Sequence, residues 1–418
     1  MKQALQLGAF SAANVLSVVL FQWVLLTMLG PGVQTDALFA AMTVPMLFAT
    51  VIGSSLTQVL VPLLSGEAIE KQQKDSWSLL TLCAILFLVI ALFLGATASY
   101  WAPISVIGFS AEAKALTVTL SQISAIGLIF TGINSVQLAA AFANGRYIWA
   151  DSAQVVANVV ALVLLVILLP HHGVIAAAWI SIVRLAIQTL FLMRGMGCWV
   201  APNISAPIVK QAWHRIKPML LGSAYYKMDP LLDRFLLSSM PPGSISLLYL
   251  AQQLYGAGSQ IISKALATPA VTRLSISHKA NNDGAFTRDL RRTLLVMALL
   301  TVASVVAIAA FGLPLLRLGM EHGQFSAEDS SGLWILLLLI SGQLIAGCLG
   351  GLTAGAFYAR GDTHTPTWLG SISFTISIGV KILMFHFFAL YGLAVAISVY
   401  YFQSLLFMLI ALRRQRYI

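Results

Sequence analysis

Charge is what this 418-residue sequence has least of. Asp, Glu, Lys and Arg together supply 9% of it, against about 25% in an ordinary soluble domain. That shortage, beside 59% hydrophobic residues, excludes a water-soluble globule, a disordered chain and a collagen-like repeat. Cysteine is scarce too: Cys83, Cys198 and Cys348 stand far apart, in or beside apolar segments, without metal-ligand spacing, and read as inert filler. No Gly-Lys-Ser/Thr loop is present to cradle a phosphate, so the chain is not expected to hydrolyse a nucleotide. No His/Cys/Asp cluster suits a metal, and no large extramembrane segment could hold a catalytic site, so neither enzyme activity nor a cofactor is expected. His171-His172 reads as a solvated turn. Met1-Lys2 runs into apolar sequence without a small-residue cleavage site, so the first apolar run is expected to stay.

What is present is hydrophobic sequence, at a mean hydropathy of +0.89. Apolar runs of about the 20 residues needed to cross a bilayer fall at 4–29, 36–63, 77–101, 115–142, 152–170, 173–194, 213–240, 244–272, 292–316, 331–358, 366–389 and 391–412. They predict an all-α polytopic membrane protein of about twelve transmembrane helices. Short turns separate several of them: Gly30-Pro31-Gly32, Pro170-His171-His172-Gly173, Pro241-Pro242-Gly243 and Tyr391-Gly392. Alternate connections collect the cations. Lys71, Lys74, Arg146, Arg194, Lys210, Arg273, Lys279, Arg360, Arg413, Arg414 and Arg416 share one side, whereas the other holds only Lys114 and Arg317. Positive charge marks the cytoplasmic face, so both termini are expected there. The net charge of +10 follows from this asymmetry and is not a nucleic-acid signal.

The two halves resemble each other. Ala140-Ala141-Phe142-Ala143 finds an echo in Gly355-Ala356-Phe357-Tyr358, and Val61-Pro62-Leu63-Leu64-Ser65 in the segment ending Thr272-Arg273-Leu274-Ser275. The economical architecture is two pseudo-symmetric six-helix lobes, 1–200 and 201–418, around a central cavity.

The seventh and eighth runs carry the charge that the others lack. Lys227 and Arg234 lie seven apart and share a helical face; Asp229 and Asp233 share roughly the opposite one. An ionisable group in hydrocarbon is costly, so it normally faces a bundle interior or a wet cavity. Pro230, read as mid-helix, would free a carbonyl beside these charges. Lys227, Lys264 and Arg234 are therefore the candidate anion-binding residues, with Gln252, Gln253 and Asn134 as hydrogen-bonding groups for a polar head group or for a neighbouring helix. Asp36, Asp229 and Asp233 are the candidates for ion pairing or ion coupling. The alternative for the charged set is an internal network that only holds helices together. Arg184 lines a cavity or pairs structurally, Lys381 snorkels from the end of the eleventh run, and Gly347, Gly351 and Gly355 form a close-packing face.

Gly32-Val33-Gln34-Thr35-Asp36-Ala37-Leu38-Phe39-Ala40, Val44-Pro45 and Val61-Pro62-Leu63-Leu64 resemble the opening of the murein lipid II flippase (MurJ/MviN) family. So do Gly243-Ser244-Ile245-Ser246, Tyr249-Leu250-Ala251, His322-Gly323-Gln324-Phe325 with Glu328-Asp329, and Ala356-Phe357-Tyr358-Ala359-Arg360-Gly361-Asp362-Thr363-His364-Thr365-Pro366. The matches keep their order along nearly the whole chain. The resemblance implies a member of the multidrug/oligosaccharidyl-lipid/polysaccharide exporter superfamily. Such a member moves an undecaprenyl-diphosphate-linked sugar from the inner to the outer leaflet of the bacterial cytoplasmic membrane. Its partners would be a polyprenyl-diphosphate-linked glycan and membrane lipid, and no nucleic acid. The family places cavity arginines on the first and second helices and an Asp-Arg pair on the eighth. Here those positions are Val15, Phe21, Ala49 and Gln252-Gln253, and the two helices that usually follow the twelfth are expected to be missing. Those departures make an exopolysaccharide repeat-unit flippase the alternative. A cation-coupled exporter of small amphiphiles ranks below it because the candidate charges are mainly basic. A membrane polymerase or ligase would need clustered acids and histidines. The sequence sets no oligomeric state.

Overall fold

The structure, a computed structural model, describes residues 2–203 and 206–415; Arg416, used above for orientation, lies outside the described residues. Among the described residues there is no strand. In hydrocarbon each backbone N–H and C=O must find its partner inside its own segment, and the helix does that. In chain order the helices are α1 (Lys2–Leu29), α2 (Val33–Phe48), α3 (Ser54–Leu64), α4 (Ile69–Ala96), the short α5 (Ala98–Ser105), α6 (Ala111–Ala143) and α7 (Tyr147–Met193). Then come α8 (Pro207–Ala224), α9 (Asp229–Leu237), α10 (Ser244–Ile262), α11 (Thr268–Lys279), α12 (Asp283–Met320), α13 (Ala327–Leu339), α14 (Ser341–Ala359) and α15 (His364–Arg414).

Among the described residues, eight stretches are by themselves long and apolar enough to cross a membrane. Two of these, α7 with 47 residues and α15 with 51, would be about 70 Å long if straight, more than twice a hydrocarbon core. Each is a hairpin, turned at Gly173 (φ 57°) and at Ala389 (φ 51°). The broken pairs α8–α9 and α10–α11 add two more spans, which brings the total to the twelve expected.

By contact the chain divides into two compact units, Met1–Gly243 and Ser244–Ile418. In the first, Leu60, Leu79, Phe87, Leu128 and Val136 are buried between α3, α4 and α6. Gly132 lets Phe87 lie against the α6 backbone, where a Cβ would collide with the ring. Because α8 packs on α3, the seventh span groups by contact with the first unit, which runs to the Pro241-Pro242-Gly243 turn. In the second unit the core includes Phe286, Leu333, Leu336, Phe357 and Leu393. There the Ser398 hydroxyl bridges the break between α13 and α14, accepting from the Gly342 N–H at 3.0 Å and donating to the Leu339 carbonyl.

Several local expectations change. The seventh span breaks at a 3-10 turn, Tyr226–Met228, ahead of Pro230. Pro230 then occupies the first turn of α9, where a missing N–H costs nothing. The second and eighth spans contain π-helical turns, Ala49–Gly53 and Ser263–Ala267. The last hairpin turns at Ala389, not at Tyr391-Gly392; Gly392 instead lets the hairpin close on the Met384 carbonyl. Lys381 does not snorkel: it is fully buried, on one helical face with Ser377 and Ser373. Of the three-glycine face only Gly355 is tight, against Val271; Gly347 makes ordinary contact with Tyr401, and Gly351 meets open space.

The irregularities repeat. The π-turns begin at 49 and 263, 214 positions apart, and the positive-φ kinks at 173 and 389 lie 216 apart. Backbone defects at offsets of 214 and 216 are independent of the sequence echoes and lie close to their spacing.

Candidate functional site in the first compact unit

The site is built where the second span meets the seventh. Thr50-Val51-Ile52, three β-branched residues that crowd an α-helical turn, precede Gly53, whose Cα faces the Ser135 hydroxyl of α6 so closely that a Cβ would stand 3.1 Å from it. The chain widens there into the π-turn Ala49–Gly53. Side chains then supply donors to the carbonyls of this turn. The Ser55 hydroxyl donates to Val51 O at 2.7 Å and the Thr57 hydroxyl to Gly53 O at 3.2 Å. The Lys227 ammonium donates to Thr50 O at 2.8 Å. Lys227 lies in the 3-10 turn that breaks the seventh span, so two backbone irregularities and one half-buried cation coincide.

A second cation approaches the same part of α2. Arg184 lines a cavity of about 240 Å³ together with Met46, Ala49, Ser124, Thr131 and Ser181. Its guanidinium donates to Asn158 Oδ1 at 3.2 Å; Asn158 Nδ2 donates to Asn14 Oδ1 at 2.7 Å, and Asn14 Nδ2 to Gln154 Oε1 at 2.8 Å. This amide chain orients the arginine. Along α9, Leu231, Leu232 and Phe235 join Val44, Phe93 and Trp101 in an apolar groove of about 620 Å³, one turn beyond the lysine.

The remaining candidates divide. Asp233 and Arg234 are both buried on α9, and Asp229, half-buried, sits in its first turn, where the helix dipole favours an acid. Asp36 is 2% exposed and accepts from the Gly243 N–H at 2.7 Å, tying the start of α2 to the Pro241-Pro242-Gly243 turn. Asn134 is in the interior, donating to Leu185 O at 3.3 Å and accepting from the Thr189 hydroxyl at 3.0 Å, which fastens α6 to the second arm of α7. In the second unit Lys264 is exposed within the Ser263–Ala267 π-turn. Gln253 donates to the Tyr249 hydroxyl at 2.8 Å, and the Gln252 carbonyl accepts from Gln343 at 3.3 Å. Sequence reading missed the Thr50 carbonyl, since a backbone acceptor has no side-chain signature. The β-branched run ending in glycine was the available signal.

The sequence profile of the family described as Lipid II flippase MurJ matches residues 25–418. The chain belongs to that family. Among MurJ relatives, the probable lipid II flippase of Vibrio cholerae serotype O1 is 28% identical over 189 residues, 45% of this chain and 36% of that protein. The probable lipid II flippase of Thermotoga maritima is 25% identical over 190 residues, 46% of this chain and 39% of that one. The aligned stretch thus spans well under half of either relative. Over the fold the likeness is wider. A lipid II flippase MurJ in an inward closed conformation superimposes with a TM-score of 0.83 at 20% identity, covering 97% of this chain and 87% of that one. An inward-facing multidrug resistance MATE transporter of the MOP superfamily gives 0.79 at 15% identity over 96% and 94%. The MurJ fold is therefore shared across nearly the whole chain.

Proposed function

We propose that this chain moves a lipid-linked, diphosphate-bearing glycan, lipid II or a close relative, from the inner to the outer leaflet of the bacterial cytoplasmic membrane by alternating access. Its two six-helix lobes would be 1–200 and 201–418, with both termini cytoplasmic. One observation carries the reading: in a member of the MurJ family, Lys227 holds an ammonium on the π-turn of the second span. A diphosphate entering a membrane needs fixed positive charge, and a low-dielectric site makes that attraction far stronger than water does. Lys227 and Lys264 are the proposed head-group cations, with Arg234 third and Gln252 and Gln253 as weaker hydrogen-bonding groups. Asp229 and Asp233 would balance the cations or couple an ion. Asn134 and Asp36, buried with helix and turn partners, act through the positions of those helices.

The lipid-linked exopolysaccharide unit is the second reading. It is favoured by the uncharged Val15, Phe21, Ala49, Gln252 and Gln253 at positions where the family resemblance leads one to expect charge. Buried charges set register and reject wrong partners, so replacing several of them changes which head group fits. The deciding experiment is expression in cells depleted of their own lipid II flippase, with a leaflet assay for lipid II. Rescue with lipid II reaching the outer leaflet establishes the first reading. Correct membrane insertion without rescue, together with loss of a surface polysaccharide when the native gene is deleted, establishes the second.

A further inference from the structure

We infer that the contact between Lys227 and Thr50 is a latch released by the substrate: the anionic head group takes the lysine from the carbonyl and frees the π-turn of the second span to rewind. This rests on the proposed diphosphate substrate and adds how its binding is transmitted. A π-turn carries one residue more than the α-helical path needs, and such turns inside α-helices are uncommon and concentrated at functional sites. Here the widened turn is held from outside its own helix. The ammonium of Lys227, 177 positions further along, donates to Thr50 O at 2.8 Å. The neighbouring carbonyls of Val51 and Gly53 accept from within the span, from Ser55 and Thr57.

The donor is itself on a movable element. Tyr226–Met228 is a single 3-10 turn between α8 and α9, and breaks of this kind mark hinges. The latch therefore joins two backbone irregularities through the Lys227–Thr50 hydrogen bond. A phosphate oxygen is a stronger acceptor for an ammonium than a peptide carbonyl is, because the bond is then charge-assisted from both sides. When the head group claims Lys227, Thr50 O loses the ammonium. The released turn then shifts between π and α registers, which opens its amides to exchange and rotates Met46 and Ala49, which line the Arg184 cavity, relative to α3. The substrate would thus reshape the wall of its own site, with no nucleotide needed for that step.

The test is amide hydrogen exchange over Ala49–Gly53, read by mass spectrometry on the full chain in lipid nanodiscs. Two variants separate the donor from the charge: Lys227→Met removes both, whereas Lys227→Gln keeps an N–H donor and loses the charge. Without ligand, Lys227→Met is expected to speed exchange in this segment by about tenfold, the size of effect that losing one hydrogen bond to a charged group implies. Lys227→Gln should stay near the parent rate. Undecaprenyl diphosphate is expected to speed exchange in the parent chain and to leave Lys227→Gln unchanged. Equal rates for parent and Lys227→Met without ligand overturn the latch. So does binding of undecaprenyl diphosphate to the parent with no change in exchange. Absence of binding instead overturns the substrate reading, and the ligand-free comparison still decides whether Lys227 holds the turn.

Discussion

At the scale of a single residue, Lys227 carries the proposed mechanism. A cation within a span has to be justified by a partner, and here the ammonium donates to a backbone carbonyl of a different helix. Replacing it should therefore hurt transport more than assembly. Lys227→Ala is expected to lower the transport rate at least tenfold, about the cost of one charge-assisted hydrogen bond, with membrane levels of the protein unchanged. Transport by proteoliposomes measures the first and immunoblotting the second. Full activity in a Lys227→Ala/Lys264→Ala double variant would remove both lysines from the mechanism. Asp36 is the opposite kind of charged residue. Its carboxylate secures the Gly243 N–H at a turn where Gly243 has φ 96° and Pro31 O leaves little room for a side chain. Asp36→Ala should cost about 1.5–3 kcal/mol of stability, and Asp36→Asn, which retains an accepting oxygen, less. Thermal melts of the purified protein would show the order; equal melts for all three would mean that the turn does not depend on this bond.

At the scale of elements, the family-like motifs turn out to be joints. Ser326 and Asp329 form a reciprocal cap on α13, which explains the spacing of Glu328-Asp329 after His322-Gly323-Gln324-Phe325. Arg360 pairs with Asp283 at 2.7 Å and lies over the Phe286 ring at 4.2 Å. Asp362 then opens α15, accepting from the N–H groups of Thr365 at 2.9 Å and His364 at 3.1 Å. Partial burial by itself would raise the Asp362 carboxyl, but hydrogen bonds from Thr365, His364 and Gln415 outweigh it and hold the group below its ordinary value. The sign of the consequence is definite. A carboxyl depressed in the folded state stabilises it above the unfolded value, near 4, and that stability fades as the pH falls through the folded value. Melting temperature measured from pH 7 downward should therefore fall more steeply below about pH 4 in the parent than in Asp362→Asn. Parallel curves would dissociate this carboxylate from the start of α15.

For the whole molecule, the cation asymmetry and the twelve spans both bear on topology. An even number of spans returns the chain to its starting side, and the lysine- and arginine-rich loops are the ground for the proposal that this side is cytoplasmic. A reporter active only outside the cytoplasm, fused after Ile418, should stay silent. Activity there would invert the orientation or make the count odd. Shared backbone defects 214 and 216 positions apart extend the internal repeat from weak sequence echoes to geometry.

The number of spans, their approximate limits and the identity of the charged residues were legible in the sequence. Hydrocarbon allows one backbone solution, and the solution needs about 20 apolar residues whatever surrounds it. The four tight turns were legible as glycine and proline, except that the last hairpin reverses at Ala389, whose conformation is imposed by the two packed arms rather than by its own preference. Tertiary structure alone decided what each charge touches. Lys381 looked like a residue reaching for the interface and is enclosed instead, because burial depends on which face of α15 its neighbours cover. Pro230 looked like a mid-helix break and became a helix start, because the chain had already turned at Tyr226–Met228. The π-turn at Ala49–Gly53 and its lysine come from segments 177 positions apart. Local sequence could mark the turn as crowded and the lysine as costly. Only the fold could bring one to the other, since a backbone acceptor is specified by where its chain runs and not by any side chain.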